Sequence, residues 1–180
     1  PMDTGCMAAS SPSESCVSVD AVRIFTGNVT GQSTGTLTND VDLTCGLDGR
    51  DEVWRLGVTL PLADLRADTL GSSLDTVLAV KRSACTATDL ACDDNTGGNG
   101  DSVVTLANLT AGDYFLVVDD RGAAGPGTYN LAVSGLYADG AACDPASTQF
   151  ACTPGHACRG ATPICVPARC NDTVDDDGDG

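Results

Sequence analysis

A chain of 180 residues suits one ordinary domain with a small addition. Twenty-five Asp and Glu against nine Lys and Arg leave a formal net charge of −16, which repels phosphate and argues against a nucleic-acid partner. No apolar run approaches the roughly 20 residues that span a bilayer, and with one Lys, two Glu and 21 Gly amid abundant Thr, Val and Ser, the composition favours strands and turns.

From about Ala21 to Leu136 the pattern is β. Trp54, Leu56, Val58 and Leu60 alternate with Val53, Arg55, Gly57 and Thr59, as in a strand buried on one face. Similar runs follow at Asp75–Val80, Ser102–Leu106, Tyr114–Val118 and Thr128–Val133. Turn-forming clusters separate them, at residues 46–49, 93–100 and 122–127. Short strands at this spacing predict an all-β, antiparallel, jelly-roll-like sandwich, with Trp54, Tyr114, Phe115 and Tyr129 in its core. After Leu136 the character changes. Cys143, Cys152, Cys158, Cys165 and Cys170 are interleaved with Pro, Gly and Ala, a segment too poor in apolar residues to hold by burial, so a small module stapled by disulfides is expected. The chain then ends on the acidic run CNDTVDDDGDG.

Ten cysteines, an even number, are unusual in a reducing cytosol. Zinc is the weaker reading, because the gaps are irregular and His156 is the only histidine. Disulfides and an extracellular, periplasmic or cell-surface setting are the better one. The expected pairs are Cys85–Cys92, as a hairpin staple, then Cys16–Cys45, Cys143–Cys158 and Cys152–Cys165, with Cys6 joined to Cys170.

Several blocks occur in an order that resembles the bacterial pre-peptidase C-terminal (PPC) domain. They are Asn39-Asp-Val-Asp-Leu-Thr-Cys45-Gly, Asp51-Glu-Val-Trp54-Arg-Leu, Leu74-Asp75-Thr-Val-Leu78, Ala91-Cys92-Asp93-Asp94-Asn95, Ala111-Gly112-Asp-Tyr114-Phe-Leu-Val-Val118 and Gly127-Thr-Tyr129-Asn-Leu131. The resemblance covers about 120 residues. It implies a jelly-roll-like β-sandwich of the kind found on secreted proteases and large surface proteins. The tail is similar to thrombospondin type 3 calcium-binding repeats. The domains expected are residues 1–15 as the end of a calcium motif and a linker, 16–138 as the PPC-like sandwich, 139–170 as the Cys-rich module and 171–180 as the start of a calcium motif.

The tail carries the clearest chemistry. Asp175, Asp177 and Asp179 stand at alternate positions before Gly180, a spacing that lets a turning loop aim carboxylates at one hard cation such as Ca²⁺. Asp172, Asn171 and Asp176 are further candidate ligands, and a solvated acidic tail is the alternative. The pattern D-x-D-x-D-G-x-x-D lacks its last acid, which Asp3 supplies when the end is written before the start. The expectation is a head-to-tail repeat, a structural unit of an extracellular fibre made of copies of itself and stiffened by Ca²⁺ and disulfides. The alternative is an accessory carbohydrate- or protein-binding module of a secreted hydrolase. A sugar platform needs exposed aromatics, and most of the seven here fall at core positions. Asp93, Asp94 and Asn95 read as a plain turn, a second cation loop being the alternative. Asn28 and Asn108, with Asn171, match the N-glycosylation triplet, so glycans are possible partners. Catalysis is not expected: His156 lies inside the stapled module, and neither a phosphate loop nor HExxH occurs.

Overall fold

The structure is a computed structural model, and it describes residues 22–46, 49–121 and 127–168. Twelve strands run in chain order: β1 (Val22–Ile24), β2 (Val29–Gln32), β3 (Asp51–Val58), β4 (Leu62–Asp68), β5 (Thr76–Arg82), β6 (Ala91–Asp94), β7 (Val103–Leu109), β8 (Gly112–Asp120), β9 (Tyr129–Tyr137), β10 (Phe150–Cys152), β11 (His156–Arg159) and β12 (Ile164–Pro167). They form a β-sandwich. One sheet has the order β1-β3-β8-β5-β6, the other β10-β9-β4-β7 with β2 joined to β9, and β11-β12 is a separate hairpin. Most pairings are antiparallel; β1 on β3 and β10 on β9 are parallel.

Alternation places the core. Trp54, Leu56 and Val58 of β3, Leu78 and Val80 of β5 and Tyr114, Leu116 and Val118 of β8 project between the sheets. They meet Leu62 and Leu65 of β4, Val104 of β7 and Tyr129, Leu131 and Val133 of β9. The structure differs from the expectation of a β3 buried on one face. Val53, Phe115 and Val117, on the opposite face, are also buried, because Val41 and Leu43 of the segment before β3 lie over them with Cys85. That segment is a strap across the outside of the first sheet.

β4 was not foreseen at all. Its run Leu62-Ala-Asp-Leu-Arg-Ala-Asp has leucines three apart and no β-branched residue, so no period-2 signal marks it. Pairing with β7 on one side and β9 on the other makes it a strand regardless.

The Cys-rich segment is built onto the sandwich. β10 continues the second sheet along β9, Phe150 packs edge-on against Tyr137, and Cys143 and Cys165 lie in the main core. Cys143–Cys158 and Cys152–Cys165 are bonded, the two pairs expected within this segment. The other two expectations that touch described cysteines are corrected. Cys92 is bonded to Cys45, so neither Cys85–Cys92 nor Cys16–Cys45 forms. The register explains it: Cys92 sits opposite Ala79, on the outer face of the sheet, where the strap brings Cys45 to it. Cys85 lies beyond the end of β5 and turns into the core beneath the strap, where it too is disulfide-bonded. Cys6, Cys16 and Cys170 lie outside the described residues.

Candidate functional site

Acidic side chains dominate the sequence, and the buried ones act on the backbone. Asp51 Oδ2 accepts hydrogen bonds from the amides of Asp40 (2.8 Å) and Val41 (2.9 Å), fixing the strap as it crosses β3. Asp120 accepts from Arg50 N and from the Thr34 hydroxyl, both at 3.2 Å. Gly49 passes so close that a Cβ there would lie 1.6 Å from the Asp120 carbonyl oxygen, which leaves room for glycine alone. Asp101 accepts from Gly71 N (2.9 Å) and Ser72 N (3.1 Å), joining two loops.

Two charged clusters reach into the fold, one under the strap and one whose Arg23 stays exposed while Glu52 is buried. Lys81, the single lysine, points outward from β5 beneath the strap, 2.6 Å from Asp89, and donates to the carbonyls of Asp42 and Ala87, each at 3.0 Å. Asp89 also accepts from Thr44 N at 2.7 Å. Burial pushes the Asp89 carboxyl up, but the bonds from Lys81 and Thr44 outweigh it and hold the carboxyl below its ordinary value. Inside the sandwich, Trp54 Nε1 donates to the Tyr129 hydroxyl (2.8 Å), which donates to Glu52. Glu52 pairs with Arg23 (2.6 Å), whose guanidinium lies 5.2 Å over the Trp54 ring. Burial first, then Glu52, pushes the Tyr129 hydroxyl well above its ordinary value.

Asp93 and Asp94 are the last two residues of β6, and Asn95 opens the turn that follows. One Asp93 oxygen accepts from Thr96 N (3.1 Å), the Thr96 hydroxyl (2.7 Å) and Val103 N (2.8 Å). Asp94 pairs with Arg121 at 3.0 Å, and Asn95 takes φ 80°. Among the described residues, the one group of three metal-ligating side chains within reach of a common centre is Cys143, Cys152 and Cys165, all held in disulfides. The proposed Ca²⁺ ligands Asp172, Asp175, Asp177, Asp179 and Asp3 lie outside the described residues. Asn28 and Asn108 are both exposed; Asn28 Oδ1 accepts from Val133 N (3.1 Å), and Asn108 takes φ 56° near the β7–β8 turn.

His156 faces Asp139 and Thr153, each 3.4 Å from its Nδ1. The Thr153 hydroxyl donates to Asp139, so its proton is aimed at the carboxylate and not at the imidazole that would have to accept it in nucleophilic catalysis. Beside His156 opens a groove of about 430 Å³, lined by Asp144, Phe150, Ala157, Cys158 and Arg159 among others. The sequence marked His156 but gave no sign of the groove, which exists only because β10 and β11 fold against each other. All seven aromatic side chains are placed: six are buried and Phe150 is half-buried.

No family model matches the chain, and no curated protein does. Among solved structures, the chain is similar to the pre-peptidase C-terminal domain of a collagenase from Bacillus anthracis, with a TM-score of 0.44 and 16% identity, covering 63% of this chain and 95% of that one.

Proposed function

We propose that this chain is a non-catalytic β-sandwich module of an extracellular protein, and that it attaches to protein surfaces. The observation that carries this reading is the placement of the aromatics. Six of the seven are buried and Phe150 is half-buried, so no ring is fully exposed for a sugar to stack on, whereas a net charge of −16 complements a basic protein surface. The disulfides support an oxidising compartment. The order of the PPC-like blocks in the sequence points to an accessory role. Fusing the chain to a fluorescent reporter tests this. Retention of the reporter on an insoluble protein matrix, and not on cellulose, chitin or peptidoglycan, is the expected result; retention on the polysaccharides alone overturns it.

A second reading rests on the D-x-D-x-D-G spacing of Asp175, Asp177 and Asp179. It holds that Ca²⁺ orders this segment and that Asp3 of a second copy, with Cys6 and Cys170, completes a head-to-tail joint. Proteolysis of the tail slows with Ca²⁺ and speeds with a chelator if this holds, and filaments are seen by electron microscopy. Equal cleavage in both conditions and monomers throughout contradict it.

A further inference from the structure

The two disulfides of the Cys-rich segment are not independent. The sulfur of Cys143, bonded to Cys158, lies within 4.8 Å of both sulfurs of the neighbouring Cys152–Cys165 bond. Burial differs along the first bond: Cys143 is in the core, whereas Cys158 is half-buried and lines the groove. Arg159 lines the same groove, with His156 and Asp144, and brings a guanidinium to the place where an incoming thiol would arrive. A cationic neighbourhood favours the thiolate, which is the attacking species.

From this arrangement we propose that the groove is a covalent acceptor site for thiols, in which attack on one disulfide is relayed to the next. The external thiolate attacks Cys158 Sγ, forms a mixed disulfide with it and releases Cys143 as a thiolate. Cys143 then attacks the Cys152–Cys165 bond, forming a new disulfide with one of that pair and releasing the other as a thiolate. Each step breaks one S–S bond and forms one, so the count of disulfides is conserved and no oxidant is needed. The relay is intramolecular between groups already packed together, which gives it the advantage of proximity over a second external thiol. It also removes Cys143, the group best placed to expel the adduct, and so retains the incoming thiol on Cys158.

Non-reducing peptide mapping of the intact chain after treatment with a limiting amount of glutathione, quenched with acid and an alkylating agent, tests the proposal. The expected products are glutathione on Cys158 together with a new Cys143–Cys152 or Cys143–Cys165 bond, and little alkylated Cys143. In the variant C152S/C165S the relay has no target, so the same treatment yields alkylated Cys143. Glutathione on Cys158 with alkylated Cys143 in the wild-type chain overturns the relay, whether or not the variant folds. Glutathione only on other cysteines, or no adduct while the segment remains fully bonded, overturns the acceptor site.

Discussion

The Lys81 and Asp89 side chains are 4% and 2% exposed, so the charged ends of this ion pair are removed from water and each charge depends on the other. Breaking such a pair by deleting one partner costs about 3–5 kcal/mol, because the survivor is left charged and buried. Lys81→Met should therefore destabilise the chain by about that much, measured by urea unfolding, and the companion change Asp89→Leu in the same chain should restore part of it. The pH dependence has a definite sign. Asp89 has a pKa in the fold below its reference of 3.8, so the unfolded chain binds more protons. Its contribution is complete above about pH 4 and is lost as pH falls through the depressed value. Without Lys81 the carboxyl loses the bond that lowers it, and acid unfolding should begin at higher pH. Tyr129 makes a comparable case through a hydroxyl that donates to the Glu52 carboxylate. Its hydroxyl satisfies Trp54 Nε1 and Glu52 together, so Tyr129→Phe should cost about 1–3 kcal/mol although the ring is kept. Thermal melts of the two proteins decide it, and equal stability would contradict the role given to the hydroxyl.

At the scale of elements, the strap is the feature that most changes the molecule. It buries the outer face of β3 and β8 at Val53, Phe115 and Val117, and Cys45–Cys92 fastens it across a separation of 47 residues. The entropy removed from the unfolded chain by a loop of that length corresponds to about 4 kcal/mol. The double variant C45A/C92A should lose up to that amount in chemical unfolding and expose the second core, read as binding of a hydrophobic dye. An unchanged midpoint would show that Asp51, Lys81 and Asp89 hold the strap without it. The elements differ in how plainly the sequence announces them. Tyr114–Val118 and Val53–Val58 are rich in β-branched and aromatic residues and were legible as strands. β4 was not, since its strand state comes from neighbours on both sides. Cys45–Cys92 escaped notice for a related reason: spacing favoured the nearer Cys85, whereas the register that turns Cys92 toward the strap is a property of the assembled sheet.

For the whole molecule, the sandwich and the Cys-rich segment share a core through Cys143, Cys165 and Phe150, and β10 extends the sheet of β9. Composition foretold the class and the need for cross-links, because a segment so poor in apolar residues has no other means of staying folded. It could not foretell that the segment would use the sandwich as its floor, nor that a groove would open there. Charge and aromatic placement bear on function together: acidic residues outnumber basic ones, Lys81, Arg23, Arg55, Arg66 and Arg121 are each paired with a carboxylate, and six of the seven rings are buried. Attachment to a basic protein surface through such an exterior is electrostatic and screened by salt, with a Debye length of about 10 Å at 0.1 M falling to about 3 Å at 1 M. The most direct measurement is retention of the purified chain on an insoluble protein matrix across a salt series. Retention should fall steeply between about 0.1 and 1 M salt, whereas retention unchanged by salt, or transferred to a polysaccharide matrix, would rule out charge-based attachment to protein.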